Sequence, residues 1–244
     1  MSVRDTLPDP IPPVRHLAIV MDGNRRWAKA RHLPVYEGHR AGSEKLREVC
    51  DLCAERGIPW LSVYAFSTEN WKRSDKEVET LMNLIVSFFK KYEREFEKKK
   101  IRVSFAGDLT ALPARSRESC ERLMRLRPEK PSIHLVVCLN YGGQDEIIRA
   151  FRRAMAAGVS ADALSAQELG SFLDLPEMPS PDLVIRPGGE KRLSNFLLWQ
   201  SAYSELYFSD VLWPDFSASD LDTALRDYRR RDRRYGGNSE GELK

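Results

Sequence analysis

The sequence predicts an α/β protein, a single domain built on a mostly parallel six-stranded sheet flanked by helices. Three observations predict it. Six short apolar runs, near 16–21, 61–66, 101–106, 133–139, 182–185 and 206–208, alternate with stretches of helical periodicity. No linker-like segment interrupts the 244 residues, of which 42% are hydrophobic, enough for one substantial core. Several of the runs end in glycine or polar turn residues, the place where an open parallel sheet binds ligands.

Taken in order, Leu17 to Met21 reads as an uninterrupted buried strand. It ends in Asp22-Gly23-Asn24, a turn signal, and Arg25 to Arg31 opens a helix. A strand, a glycine turn and a helix N-terminus together form an anion site, because free N–H groups and the helix dipole face the ligand. Asp22 would repel a bare phosphate there, which points to a divalent cation between them, and oxygen ligands suit Mg²⁺. The plainer role for Asp22 is a helix N-cap. A helix over 41–56 sets Cys50 and Cys53 on the same pattern as Leu46 and Val49. That C-x-x-C is therefore core packing and not a zinc or redox pair. The 61–66 strand places Val63 and Ala65 on one face.

The 75–99 helix begins with a Ser74-x-x-Glu77 capping box. Val78, Leu81, Ile85, Phe88, Tyr92 and Phe96 recur along it at helical spacing, widened by Leu84 and Phe89. The strands near 101–106 and 133–139 are separated by a helix near 114–126, and helices near 144–157 and 166–173 precede the fifth strand. Leu183-Val184-Ile185 then runs into Arg186-Pro-Gly-Gly-Glu-Lys-Arg-Leu-Ser-Asn195. Gly188 and Gly189 permit a tight turn, and Arg186 and Arg192 offer forked donors that fit phosphate oxygens. A solvated surface turn is the bland alternative. A last helix is expected over 219–231. Asp22, Ser67, Asn140 and Arg186 all sit just past strand ends, so they are expected to converge on one rim.

Net charge is +3, too close to neutral for wholesale nucleic-acid binding. The segment from Arg226 to Arg234 is arginine-rich, which suits an anionic surface, a phosphate site or a solvated helix face. The four cysteines fit a reduced, cytoplasmic protein. Met1 to Pro13 is polar and proline-rich with no apolar core, so no signal peptide is expected. No apolar run approaches the ~20 residues that span a bilayer, and any membrane contact is expected to be peripheral. A loose lead-in over 1–14, a catalytic domain over 15–237 and a tail over 238–244 are the expected divisions.

His16–Trp27, Gly38-His-Arg-Ala-Gly42, Tyr64-Ala-Phe-Ser-Thr-Glu-Asn-Trp71, Asn140-Tyr-Gly-Gly143, Arg186–Ser194 and Ala202-Tyr-Ser-Glu-Leu-Tyr-Phe208 follow one another along the chain. Together they resemble the cis-prenyltransferases of the undecaprenyl diphosphate synthase type, from about His16 to Gly237. The resemblance implies a fold with a hydrophobic tunnel. It also implies repeated addition of isopentenyl diphosphate, with cis double bonds, to an allylic diphosphate, typically farnesyl diphosphate. Two diphosphates and a growing hydrocarbon need two cationic sites, a charge-neutralising metal and an apolar channel. The chain contains no Asp-Asp pair, unlike the D-D-x-x-D metal clusters of trans-prenyltransferases.

By this resemblance the allylic diphosphate sits on Gly23, Asn24, Arg25 and Arg26, with His39 and Arg73 nearby and Trp27 beside the first isoprene units. Asp22 and Glu205 would hold Mg²⁺. Arg186, Arg192 and Ser194 would grip isopentenyl diphosphate. Ser67, Thr68, Glu69, Asn70 and Trp71 would form a mobile loop over the site, with Asn70 a candidate in proton removal, although an amide is a poor base and suits positioning. Ala65, being small, implies a long product in the undecaprenyl range; tight core packing is its other reading. Arg234 and Gly236 resemble an R-x-G element that reaches a partner subunit, which implies a homodimer, with Phe196–Trp199 and Tyr203–Phe208 contributing.

Three positions depart from the family's pattern. Val35 stands where an arginine is usual, so one phosphate contact is lost unless Arg31 or another cation substitutes. Pro187 replaces threonine and Lys191 replaces histidine or glutamine. A non-catalytic subunit of the same fold is the competing class, disfavoured by the presence of Asp22, Arg26, Arg186 and Arg192. A nucleotide-binding protein is disfavoured by the absence of G-x-x-x-x-G-K-[ST] and G-x-G-x-x-G.

Overall fold

Six parallel strands lie in the order β3-β4-β2-β1-β5-β6 in the computed structural model, which describes residues 14–231. They are β1 (His16–Val20), β2 (Trp60–Ser67), β3 (Ile101–Ala106), β4 (Ile133–Tyr141), β5 (Leu183–Arg186) and β6 (Glu205–Phe208). The helices are α1 (Asn24–Ala30), α2 (Val35–Glu55), α3 (Asp75–Lys98), α4 (Ala114–Met124), α5 (Gly143–Ala156), α6 (Ala166–Gly170) and α7 (Ala218–Arg229). The lead-in over 1–14 falls outside the described residues except for Val14. So do the Arg234–Gly236 element, the end of the arginine-rich stretch and the tail over 238–244.

Every strand pairing is parallel, so all six carboxyl ends share one rim. The chain moves outward from β1 in one direction through β2 and β4, and in the other through β5 and β6. That reversal opens a crevice at the end of β1. Side chains alternate across the sheet: Leu17 and Ile19 join one apolar cluster, Ala18 and Val20 the other. The larger cluster lies under α2 and α3 and includes Cys50 and Cys53. Burial pushes the Cys53 thiol up to about 12 and raises Cys50 as well, so the C-x-x-C is inert core.

Two local expectations are corrected. The second helix starts six residues before 41, at Val35, after Pro34 as its N-cap. Gly38 and Gly42 are poor helix formers, yet α1 crosses α2 so closely that a Cβ at Gly38 would lie 2.1 Å from the Asn24 carbonyl oxygen. Close approach, not a turn, explains these glycines. At the start of α3, Ser74 is the N-cap but makes no side-chain capping bond. Glu77 is taken instead by Arg73 at 3.0 Å and Arg25 at 3.5 Å.

Candidate active site

Asp22 stands just past β1, held by main-chain bonds on both sides. Its N–H donates to the Val20 carbonyl at 2.8 Å, and its carbonyl accepts from Trp213 N–H at 2.9 Å. Gly23 then turns the chain into α1 with φ 108°, a left-handed conformation, and a Cβ there would meet the Leu212 side chain at 2.9 Å. Gly23, not Asp22, is the N-cap of α1. The Asp22 carboxylate is therefore free to face the crevice, where two arginines hold it. Arg26 Nη2 donates to Oδ1 at 3.0 Å, and Arg186 Nη2 donates to Oδ2 at 2.9 Å.

The same arginines tie the two anion-shaped segments together. Arg26 Nη1 reaches the Gly188 carbonyl at 2.5 Å. Arg186, buried at the end of β5, donates through Nη1 to Ser194 Oγ at 2.7 Å and to the Arg192 carbonyl. The loops around 22 and 188, far apart in sequence, thus form one wall.

That wall borders a cavity of about 600 Å³ at the carboxyl rim. Asp22, Asn24, His39, Arg73, Arg186, Arg192 and Ser194 line it, with Ser67, Glu69 and Asn70 on the facing side. Three buried polar atoms here have no protein partner: Asn24 Oδ1, His39 Nε2 and Arg186 Nε. Buried polar groups are ordinarily paired. His39 Nε2 and Arg186 Nε are able to donate to a ligand here, whereas Asn24 Oδ1 is an acceptor packed against Gly42. Burial, reinforced by Arg73, pushes the His39 pKa down to about 4, so its ring is neutral at pH 7 and able to donate one hydrogen bond.

Below this mouth lies an apolar cavity of about 70 Å³ between the sheet and α3. Ala65, Leu81, Leu84, Ile85, Phe88 and Trp213 line it. Met21, Asn24, His39, Ala65 and Leu81 border both spaces, so the polar mouth adjoins the apolar one. Val63 is fully buried on the same face as Ala65, as the strand alternation predicts. Where the tunnel is expected there is a narrow apolar cleft. It has room for on the order of five water-sized spheres, far less than a long chain needs.

Several expected site residues are placed elsewhere. Trp27 lines neither cavity, because its Nε1–H is held by Asp215 at 2.7 Å. Arg31 stacks over the Trp27 ring at 4.3 Å and pairs with Asp215 at 3.1 Å, so it does not replace the arginine missing at Val35. Lys29 does share a cleft with Val35, Arg25 and Arg26 on the outer side of α1. Glu205 opens β6 level with Leu183 and Leu17, at the other end of the strands from Asp22. Five residues of strand and the two strand spacings from β1 to β6 put it roughly 19 Å away, and Arg231 occupies it at 2.7 Å. Within one chain the expected Asp22–Glu205 metal pair is not formed.

Within the 67–73 segment, Thr68–Lys72 forms a short 3-10 helix. Asn70 Oδ1 accepts the Ser67 N–H at 3.1 Å, an arrangement that fits positioning. Trp71 Nε1–H donates to Asn140 Oδ1 at 2.7 Å, and Thr68 packs beside Gly142. Neither lines the mouth. Phe196 and Leu197 are fully buried in their own chain, with Phe196 stacked on Tyr64 at 4.8 Å, so neither is available to a second subunit. Tyr203 is 77% exposed. Sequence reasoning missed Glu77, which anchors Arg25 and Arg73, and Asn195, which lines the mouth.

The prenyltransferase family model described as undecaprenyl diphosphate synthase matches residues 20–236. The chain belongs to this family. It is 44% identical over 227 residues to an isoprenyl transferase of Clostridium perfringens, covering 91% of this chain and 90% of that one. An isoprenyl transferase of Wolinella succinogenes is 43% identical over 224 residues, covering 92% of this chain and 97% of the relative. Among solved structures, lavandulyl diphosphate synthase of Lavandula x intermedia, in complex with dimethylallyl diphosphate, superimposes with a TM-score of 0.86. It is 34% identical and covers 92% of this chain and 98% of that chain. A probable undecaprenyl diphosphate synthase of Campylobacter jejuni gives a TM-score of 0.79 at 34% identity, covering 93% and 100%. No helix among the described residues is long and apolar enough to cross a membrane.

Proposed function

We propose that this protein condenses isopentenyl diphosphate onto farnesyl diphosphate, repeatedly and with cis double bonds, to make a long-chain polyprenyl diphosphate in the undecaprenyl range. The observation that carries the reading is the join between the two cavities. A mouth with unpartnered His39 and Arg186 nitrogens adjoins an apolar cleft beneath α3, and the two share Met21, Asn24, His39, Ala65 and Leu81. A molecule with an anionic head and a hydrocarbon tail fits that join, whereas a nucleotide does not use the cleft. In its relative lavandulyl diphosphate synthase, the same fold holds dimethylallyl diphosphate.

In this scheme the allylic diphosphate rests against Asn24, Arg26, His39 and Arg73, with its chain directed past Ala65. Arg186, Arg192 and Ser194 hold isopentenyl diphosphate beside it. The allylic C–O bond breaks, the isopentenyl double bond supplies the electrons of the new C–C bond, and a proton leaves to diphosphate or water. Arg26, Arg73 and the neutral His39 stabilise the negative charge that develops on the departing oxygens. Holding both substrates in one crevice supplies a further share of the acceleration. Asn70 orients and does not act as a base.

No three metal-ligating side chains gather among the described residues. Mg²⁺ nevertheless fits Asp22, because it commonly takes one or two carboxylates and completes its shell with phosphate oxygens and water. Bound there it would neutralise diphosphate charge; Asp22 would have to release Arg26 and Arg186 to hold it. A long product also requires α3 to move off the sheet. We further place the protein in the cytoplasm as a homodimer using the surface around Trp199 and Tyr203, with peripheral membrane contact when product leaves.

Incubation with farnesyl and isopentenyl diphosphates, with and without Mg²⁺, tests the scheme. Metal-dependent products separable by chain length are expected. Tight binding of both diphosphates without turnover would instead support a non-catalytic subunit.

A further inference from the structure

Three elements around the mouth meet at one residue. Asn195 directly follows Ser194, the hydroxyl that accepts from Arg186. It has φ 66°, in a run where Ser194 and Leu197 are also left-handed at 52° and 43°. Asparagine is among the few non-glycine residues that adopt this conformation readily. Both polar atoms of its side chain are engaged: Nδ2 donates to Glu69 Oε1 at 2.9 Å, and Oδ1 accepts the Gln144 N–H at 2.9 Å. Its main-chain carbonyl accepts the Gly143 N–H at 2.7 Å. The junction is tight, since a Cβ on Gly142 would lie 2.7 Å from Thr68 Oγ1 and 2.8 Å from Asn195 Nδ2. Burial works against the Glu69 carboxylate, yet hydrogen bonds led by the Asn195 amide hold its pKa below the usual value. The Asn195–Glu69 bond is therefore charge-assisted at neutral pH.

We propose that Asn195 is a positioning residue that latches the 68–72 turn to the Arg186–Ser194 loop, so that an anion gripped by the loop fixes the turn carrying Glu69 and Asn70. The inference rests on reading that loop as a diphosphate site. If Asn195 served only as an anchor for the start of α5, its bond to Glu69 would be dispensable.

Asn195→Asp separates the two roles. Aspartate tolerates the left-handed backbone and keeps the acceptor for Gln144, but it loses the donor and sets a carboxylate against Glu69. Glu69→Gln, added to Asn195→Asp, restores one hydrogen bond with the donor and acceptor exchanged. Glu69→Ala cuts the latch from the other side and leaves residue 195 untouched, in case Asn195→Asp fails to fold. The readout is amide hydrogen exchange of a 67–73 peptide, with and without inorganic pyrophosphate.

Pyrophosphate is expected to slow exchange there in the wild type. In N195D and E69A, exchange speeds up about tenfold and the pyrophosphate protection disappears. In N195D/E69Q both recover. Unchanged exchange in N195D and E69A, or a double variant no better than N195D, overturns the latch. So does pyrophosphate that leaves the wild-type segment unaltered. The exchange measurement needs no turnover, so it separates the two ideas. A protein that makes no polyprenyl product yet shows Asn195-dependent protection defeats the substrate assignment alone. Normal product formation with indifferent exchange defeats the latch alone.

Discussion

The two rims of the sheet bury the same kinds of groups and treat them differently. At the amino rim, His16 Nδ1–H donates to the Pro179 carbonyl at 2.6 Å and Nε2 meets Ser62 Oγ at 2.7 Å. His134 Nε2 meets Ser104 Oγ at 2.8 Å, and its ring lies 3.8 Å from that of Trp60. Asp182 accepts the main-chain N–H groups of Arg15 and His16. At the carboxyl rim, His39, Asn24 and Arg186 each keep a buried atom without a partner. Burial drives the pKa of all three histidines down to about 4. Burial and a shifted pKa therefore do not distinguish a structural histidine from a site histidine. Completed hydrogen bonding does.

The sharpest test of this contrast is Asp22→Ala. Loss of the carboxylate at the working rim should cut turnover by about a thousandfold. The thermal midpoint should fall only modestly, because the buried Arg186 loses its carboxylate but keeps Ser194 and the Arg192 carbonyl as partners. Steady-state turnover beside circular dichroism checks both; an active variant would remove Asp22 from the chemistry. His16→Ala should do the reverse. Leaving Ser62 and the Pro179 carbonyl unpaired costs about 2–3 kcal/mol in urea unfolding, while the folded fraction keeps its kcat. His39→Ala is the matched partner, expected to raise KM for the allylic diphosphate about tenfold with stability held to within about 0.5 kcal/mol. If His39→Ala proved the less stable of the two, the contrast between rims would fail.

Acid titration comes next in size. Each of these histidines has a folded pKa of about 4 against an ordinary 6.5. Between those values the unfolded chain binds more protons than the native one. Stability is therefore full above pH 6.5 and declines as pH falls toward 4. The midpoint measured across that window should drop, and His16→Gln should flatten the slope. The smallest expected effect belongs to Ala65→Leu. It narrows the junction of mouth and cleft and should shorten the product by a few C5 units, read by chromatography of the dephosphorylated alcohols. An identical product distribution would detach Ala65 from the path of the chain.

Strands and helices were largely legible because buried runs and helical stripes are local patterns. What escaped was decided by contacts across the chain. Gly38 and Gly42 look like breaks until α1 is packed against them. Asp215, some 188 residues away, draws Trp27 off the site, and nothing in the sequence near Trp27 announces it. The pairing of Glu205 with Asp22 within one chain was not legible, because a motif conveys residue type but not register, and register puts the two at opposite ends of the strands. Arg186, Arg192 and Ser194 were recoverable because one short loop carries them all. Asn195 was quoted within that motif but gains its meaning only from Glu69 and Gln144, each distant in sequence.

The clamp of Arg26 and Arg186 on Asp22 bears on how affinity should be interpreted. The resting protein already supplies its own counter-ion to the guanidiniums an incoming diphosphate needs. Binding is thus an exchange of one anion for another, not a simple neutralisation. Added salt should weaken it less than the number of arginines suggests, and Asp22→Asn should hold pyrophosphate more tightly even as it turns over less.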